Sequence, residues 1–275
     1  MNDFLNAILL GIIEGLTEFL PVSSTAHLLV AENMLGLRKG DWEVFTVVIQ
    51  LGAVLSVVAV YWHKFWSVLI GLPSDPKARQ FAINVIVAFL PAAVLGLVLI
   101  KFINAFLLDP VRAMPVIAVS WIAGGILILL FERIAPRPRY EGTDNLPVSK
   151  AFQIGLCQCA ALLPGVSRSG ATILGGELLG VERKTAAHFT FYLAVPTMLG
   201  ASVVELYQQR AALSASNLTT IAVGFVVSFV VAYIVVKTFI DFVGRYGLKP
   251  FGWYRVAAGL ALFAFMIAAN HGIDL

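Results

Sequence analysis

The segment EGLTEFLPVSSTAH, residues 14–27, places carboxylates, hydroxyls and an imidazole inside a stretch that is otherwise apolar from Phe4 to Ala31. An ionisable side chain costs about 2.5–3.5 kcal/mol at the centre of a membrane helix and marks a functional site. Pro21 divides the stretch into two pieces, each too short to cross a bilayer. The segment therefore predicts a functional site on a broken pair of helices.

The composition is that of an integral membrane protein. Of the 275 residues, 59% are hydrophobic and only 13% are charged, with a mean hydropathy of +0.89. Soluble globular domains carry about 25% charged residues. The net charge of +3 is small, and we expect the lipid bilayer, and no nucleic acid, as a partner.

Six further segments reach the length of about 20 apolar residues that a spanning helix needs. They lie at residues 44–62, 81–101, 113–131, 185–205, 217–237 and 252–271. Aromatic and basic residues near their ends, such as Trp62, Tyr254 and Arg255, are typical of the membrane interface. Glu177 lies near the end of another segment, where we expect it to face water.

The two halves of the chain resemble each other. A shift of 144 residues places Gly11 on Gly155 and Ser23 on Ser167 without a gap. The same shift superimposes the polar cluster at residues 14–27 on a second one that ends at Thr172. We interpret the halves as an internal repeat, because one shift superimposes the two polar clusters that lie in apolar sequence.

Each half consists of a broken helix pair followed by three spans. The repeats occupy about residues 1–132 and 148–275 of a single membrane domain, and the loop 133–147 joins them. If each broken pair is re-entrant, three spans per half turn the second half upside down. The predicted fold is an all-α integral membrane protein with an inverted-topology repeat, six transmembrane helices and two re-entrant helix pairs.

The distribution of positive charge predicts the orientation. The nineteen Lys and Arg residues divide into five on the side of the N-terminus, thirteen on the opposite side, and Arg168 inside the second polar cluster. The cytoplasmic side of a membrane protein carries the excess of Lys and Arg. We therefore predict a cytoplasmic loop 133–147, both termini outside and an active site that faces the exterior.

Glu14 and Glu18 lie four residues apart, so a helix places both carboxylates on one face. Two close carboxylates in an apolar medium either share a proton or bind a cation. Mg²⁺ typically takes one or two carboxylates and completes its shell with water and substrate phosphate. A proton-binding pair in a transporter remains the alternative.

The break at Pro21 makes Ser23 or Ser24 a suitable N-cap for the next helix. Backbone N–H groups at a helix start bind anions, and the hydroxyls there add donors. Ser24 and His27 lie three residues apart and so on one face. This spacing suits a nucleophile and its base, or a hydroxyl that orients the imidazole.

The second polar cluster, PGVSRSGAT at residues 164–172, follows the same pattern. Proline and glycine end one helix, and Ser167 can cap the next. Arg168 adds a permanently charged guanidinium that can bind a phosphate through two parallel hydrogen bonds. Together the clusters predict a site for a phosphate ester or anhydride, reached from the bilayer, with a divalent cation; a transporter or flippase for a polyprenyl phosphate or small anion is the competing class.

The motifs at residues 14–27 and 164–172 resemble those of the undecaprenyl-diphosphate phosphatase family, of the bacitracin-resistance type. The similarity runs nearly end to end, with Ala26 at a position where glycine is common in that family. The resemblance implies hydrolysis of undecaprenyl diphosphate to the monophosphate and inorganic phosphate, which recycles the cell-wall lipid carrier. It also implies dependence on Mg²⁺ or Ca²⁺, a location in the bacterial inner membrane, an inverted repeat and a possible homodimer.

Within this hypothesis we assign roles to the polar residues of both clusters. The predicted catalytic residues are Glu18, Ser24, His27 and Arg168, and the predicted metal ligands are Glu14 and Glu18. The predicted substrate-binding residues are Ser23, Thr25, Ser167, Ser169 and Gly170. Ser24, His27 and an activated water all remain candidates for the nucleophile.

Overall fold

The computed structural model describes residues 3–37, 39–102, 110–208 and 218–270. In these ranges the chain is almost entirely helical, and the β-type contact there is one isolated bridge between Tyr140 and Val181. The predicted all-α class is confirmed. The α-helices are α1 (Asp3–Thr17), α2 (Ser24–Met34), α3 (Lys39–Val60), α4 (Trp62–Gly71), α5 (Pro76–Phe102), α6 (Pro110–Ile134), α7 (Val148–Gln158), α8 (Arg168–Leu178), α9 (Arg183–Gln208), α10 (Leu218–Tyr246) and α11 (Lys249–Asn270).

Six of these helices, α3, α5, α6, α9, α10 and α11, are long and apolar enough to cross a membrane. Each of the six predicted spans lies on one of them over nearly its whole length, so this prediction is confirmed; residues 61 and 62 lie beyond the end of α3, and residues 217 and 271 lie outside the described residues. The helices extend beyond the apolar segments: α10 continues to Tyr246, past the predicted end at residue 237. Helical hydrogen bonding does not stop where the hydrophobic pattern stops, which explains the longer helices.

The two polar clusters lie at interruptions between short helices. The first interruption separates α1 from α2, and the second, which includes a 3₁₀ turn at Cys159–Leu162, separates α7 from α8. The bounds of α2 and α8 are related residue for residue by the 144-residue shift. Both breaks contain proline, which lacks the N–H that a continuing helix requires. The re-entrant placement of these pairs in a membrane stays a prediction.

The two halves interlock, because each broken pair packs on a long helix of the other half. Helix α1 lies along α10, and its counterpart α7 lies along α5. Helices α3 and α9 contact each other at the centre, and α6 packs along α11. Each short pair therefore depends on the opposite half for its packing.

Glycine at equivalent positions makes this close packing possible. A Cβ atom on Gly11 would lie 2.8 Å from the carbonyl oxygen of Gly224 on α10. A Cβ atom on Gly155 would lie 2.3 Å from the carbonyl oxygen of Ala88 on α5. Any larger residue at either position would push the short helix away from its support.

Helix α4 was not predicted from the sequence. Its first residue, Trp62, was interpreted as the interfacial end of a span, but it begins a separate short helix. None of its residues is buried: Trp62, Trp66, Leu69 and Ile70 are exposed at the surface, while Phe65 is partly buried against the core. Lys64 of α4 forms an ion pair of 2.5 Å with Asp144, which attaches the helix to the loop between the halves.

The prediction that Glu177 faces water is wrong. Glu177, at the end of α8, is only 5% exposed and binds Arg183, which also binds Glu132 at 3.1 Å. Glu132 in turn accepts a hydrogen bond from the backbone N–H of Leu248. The ends of α6 and α8, the start of α9 and the turn before α11 are joined by these charges, and folding therefore buries a residue that stands at a segment end in the sequence.

Candidate active site

The two helix breaks contact each other directly. The hydroxyls of Ser167 and Ser169 both donate to the carbonyl oxygen of Leu20, at 3.3 Å and 2.7 Å. Ser167 also accepts the backbone N–H of Gly170 at 3.1 Å, which confirms its predicted role as the N-cap of α8. The polar atoms of the second break thus satisfy the free backbone of the first.

Glu18 joins the two polar clusters. One of its carboxylate oxygens accepts the hydroxyl of Ser24, the first residue of α2. The other accepts the guanidinium of Arg168, the first residue of α8, at 3.1 Å. Arg168 also donates to the carbonyl oxygen of Thr190 at 3.1 Å, so its position is held from two sides. Three of the predicted catalytic residues meet at one carboxylate.

Glu14 lies behind Glu18, one helical turn away. It is fully buried, and neither of its carboxylate oxygens has a hydrogen-bond partner. Its counterpart Gln158 is also buried, with an amide nitrogen that has no partner. A buried carboxylate without a partner requires a proton or a cation. The residues present therefore fit a cation that is bound by Glu14 and Glu18.

His27 does not bind Ser24 in this arrangement. Its Nδ1 contacts the carbonyl oxygen of Ser23 at 2.7 Å, and its Nε2 contacts the hydroxyl of Tyr254 at 2.6 Å. A carbonyl oxygen can only accept, so Nδ1 carries a proton. The Ser24 hydroxyl donates to Glu18 instead. The contact between Ser24 and His27 that their spacing indicated is not formed, because both ring nitrogens have other partners.

Ser23 is the N-cap residue of α2, with a φ of 72° and no capping bond from its side chain. Among the described residues it has the only positive φ outside glycine. This conformation orients the Ser23 carbonyl toward His27. Strain of this kind is commonly found at functional sites. The side chain of Thr25 is exposed on α2, while Ser23 and Ser24 are buried.

Arg255 is a central residue that the sequence-based prediction missed. It was assigned to the interface, but it is only 2% exposed. Its guanidinium donates to the carbonyl oxygens of Pro21 at 3.2 Å and of Ser120 and Gly165 at 2.9 Å. Arg255 therefore connects both helix breaks to α6 and α11.

The start of α11 explains the error. The predicted span began at residue 252, which places Arg255 in the first turn, where an arginine normally reaches water. The helix begins at Lys249, so Arg255 lies almost two turns inside it. Gly124 on α6 provides the space, since a Cβ atom there would lie 2.2 Å from the guanidinium. A predicted start of α11 at Lys249 would have identified Arg255 as a residue inside the helix.

Comparison with known proteins identifies the family of the chain. Residues 7–261 match the family described as bacitracin resistance protein BacA. The chain belongs to this family. Both helix breaks and Arg255 lie within the matched range. The family prediction made from the two motifs is confirmed.

Several relatives in this family carry the name undecaprenyl-diphosphatase. The protein of Novosphingobium aromaticivorans is 50% identical over 264 residues, which cover 94% of this chain and 96% of the relative. The protein of Rhodopseudomonas palustris strain HaA2 is 47% identical over 260 residues, with the same coverage of both chains. The protein of Rhizorhabdus wittichii is 48% identical over 267 residues, which cover 97% of this chain and 98% of the relative. The similarity extends over nearly the full length in every case.

Proposed function

We propose that the protein is a membrane phosphatase that hydrolyses undecaprenyl diphosphate to undecaprenyl phosphate and inorganic phosphate. This reaction recycles the cell-wall lipid carrier and confers resistance to bacitracin. The names of the relatives support undecaprenyl diphosphate as the substrate. The observation that carries the proposal is the carboxylate of Glu18, which binds a hydroxyl and a guanidinium at the starts of two helices. A nucleophile, a proton acceptor and a phosphate-binding group are thereby in contact.

In the first step, the Ser24 hydroxyl attacks the terminal phosphorus and its proton passes to Glu18. The bond from that phosphorus to the bridging oxygen breaks, and undecaprenyl phosphate leaves with the bonding electron pair. In the second step, water attacks the phosphorus of the phosphoserine, the bond from that phosphorus to Oγ of Ser24 breaks, Glu18 returns its proton to Oγ, and inorganic phosphate leaves with the atoms of the water. The hydrogen bond from Ser24 to Glu18 supports the serine as nucleophile over His27 or water.

Arg168 binds the terminal phosphate and stabilises the charge that develops during transfer. Positioning and electrostatic stabilisation supply most of the catalysis in phosphoryl transfer. Glu18 and the Thr190 carbonyl hold the guanidinium in place before the substrate arrives. Ser167, Ser169 and Gly170 hold the start of α8 and contribute further donors as the phosphate binds.

A divalent cation, Mg²⁺ or Ca²⁺, fits the pair Glu14 and Glu18. The described part of the chain contains no group of three or more His, Cys, Asp and Glu side chains that could hold a metal by themselves. Two carboxylates suffice where the substrate phosphate completes the shell. The cation supplies positive charge that offsets the charge of the diphosphate.

The orientation follows from the charge distribution. With Arg255 buried, twelve cations remain on the side predicted to be cytoplasmic, against five on the other, so the bias persists. We place the protein in the bacterial inner membrane with both termini outside, two re-entrant helix pairs and an active site that faces the exterior. We also propose that the protein forms a homodimer.

Hydrolysis by the purified protein tests this function. The protein in detergent should release inorganic phosphate from a polyprenyl diphosphate without any ion gradient. A transporter or flippase, the alternative considered from the sequence, produces no phosphate under these conditions, and the relatives' names do not favour it. An absence of phosphate release with Mg²⁺ and Ca²⁺ each present would contradict the proposal.

A further inference from the structure

A second polar group lies beside the reacting centre, around His27. The ring of Trp121 on α6 packs against the imidazole with centroids 4.6 Å apart. Tyr254 on α11 lies parallel to it, with an interplanar angle of 12°, and its hydroxyl contacts Nε2. The guanidinium of Arg255, the next residue on α11, donates to the carbonyl oxygen of Pro21 in the helix break before α2. These four side chains come from three helices.

Two donors of this group have no acceptor. The indole N–H of Trp121 and the Nε–H of Arg255 are buried without a hydrogen-bond partner, in side chains that are 4% and 2% exposed. A buried polar group without a partner costs about 1–3 kcal/mol. Native proteins rarely retain such groups unless a ligand or water completes them. The missing partner of each donor must be a hydrogen-bond acceptor.

The charge of this group also lacks a counter-ion. Arg168 is compensated by Glu18, whereas no carboxylate in the described part of the chain lies within 4.0 Å of Arg255. A buried cation is normally paired with an anion. The missing hydrogen-bond acceptor and the missing negative charge have one common solution, which is an anion such as a phosphate.

We propose that Trp121, Tyr254 and Arg255 form, around His27, the subsite for the lipid-attached phosphate of the substrate. This inference rests on the proposed function. The terminal phosphate lies at Ser24 and Arg168, and His27 follows Ser24 by about one helical turn, or roughly 5 Å along α2. The two phosphates of one diphosphate can therefore reach both groups, and each phosphate has an arginine nearby.

The position of Tyr254 agrees with this assignment. Its side chain is 47% exposed, and its neighbours on the outer face of α11, Trp253 and Leu260, are exposed as well. Exposed apolar side chains on a spanning helix face lipid. The polyprenyl tail, which is attached to the inner phosphate, can leave the site directly into the bilayer at this side. Before substrate binds, the Tyr254 hydroxyl bonds His27; it then turns to a phosphate oxygen.

Binding of two small probes tests the subsite. Farnesyl phosphate carries the lipid-attached phosphate alone, and inorganic phosphate represents the terminal one; the dissociation constant of each is measured by calorimetry in detergent. Trp121→Phe removes only the indole N–H, and Tyr254→Phe removes only the hydroxyl. Each substitution should weaken the binding of farnesyl phosphate about tenfold, as expected for one lost hydrogen bond to a charged group. The binding of inorganic phosphate should be unchanged. Arg168→Lys should weaken inorganic phosphate more than farnesyl phosphate.

Trp253→Phe, on the neighbouring exposed residue, is the matched control and should bind both probes as the unchanged protein does. Equal weakening of both probes by Trp121→Phe and Tyr254→Phe would show a general structural role and overturn the subsite, as would unchanged binding of farnesyl phosphate. If Trp121→Phe does not fold, Tyr254→Phe decides alone, because its side chain is half exposed. Failure of the proposed function is a separate result, namely no phosphate release by the unchanged protein.

Discussion

Ser24 and Arg168 bind the two oxygens of one carboxylate, that of Glu18, although they begin helices in different halves of the chain. The 144-residue shift that relates the halves places one directly on the other. Equivalent positions of the repeat therefore carry a hydroxyl in one half and a guanidinium in the other. The site is asymmetric although the helices around it are related.

Replacing Arg168 by lysine should lower the turnover number by about 10²–10³-fold. Lysine keeps the charge but cannot bind Glu18, the Thr190 carbonyl and a phosphate with one planar group. Release of inorganic phosphate from a polyprenyl diphosphate measures the effect. Arg139→Lys, in the exposed loop between the halves, serves as the control and should retain full activity. Turnover of Arg168→Lys within tenfold of normal would contradict the role given to Arg168.

Ser24→Ala should abolish turnover, with a loss of at least about 10³-fold, because it removes the attacking oxygen. Rapid quenching of the unchanged protein during turnover should also trap a phosphate on Ser24, which peptide mass spectrometry can locate. Ser67→Ala removes an exposed hydroxyl from α4 and should have no effect. A trapped phosphate on His27 would assign the nucleophile to the imidazole instead.

Removal of divalent cations should stop hydrolysis, and addition of Mg²⁺ or Ca²⁺ should restore it. A chelator followed by titration of each ion measures the dependence. Glu14→Gln introduces the residue found at the equivalent position 158 and removes one of the two carboxylates. This variant should fold, because it also removes a buried charge, but should need at least about tenfold more metal. Activity that is indifferent to chelation would exclude a resident cation.

Arg255→Met should lower the stability by several kcal/mol, because three buried carbonyl oxygens lose their donor at about 1–3 kcal/mol each. The stability of Arg255→Lys should fall between those of Arg255→Met and the unchanged protein, since an ammonium can still reach one or two of the carbonyl oxygens. The midpoint of thermal unfolding in detergent measures both. Arg245→Met, which changes an exposed arginine on α10, is the control and should unfold like the unchanged protein. Gly124→Ala should resemble Arg255→Met, because its Cβ atom would occupy the place of the guanidinium.

Hydrophobic patterning and two polar clusters were enough to predict the helical class, the six spans and the residues that meet at Glu18. The pattern of Ser167 after a proline also predicted its capping bond correctly. These features depend on short segments of sequence, where helix breaks and N-caps follow local rules. The family resemblance added the substrate, which no local rule contains.

The prediction failed where a residue's surroundings come from distant parts of the chain. Arg255 and Glu177 stand near segment ends in the sequence, but helices from both halves bury them. The hydrogen bonds of His27 were not predictable either, since Tyr254 lies 227 residues away. Spacing along one helix indicated Ser24 as the partner of His27, and the tertiary structure gave each a different one.

The carbonyl oxygen of Leu20 has a consequence for synthesis of the protein. Two of its three donors, Ser167 and Ser169, belong to the second half, which leaves the ribosome after the first; the third is the backbone N–H of Val22. At about 5–20 residues per second, the first break waits roughly 7–30 s for the two serines. During that time its open backbone must be solvated by water or by the insertion machinery, because lipid offers no hydrogen bonds. Until the second half is made, the first helix pair therefore depends on water or the insertion machinery, which the finished protein no longer needs.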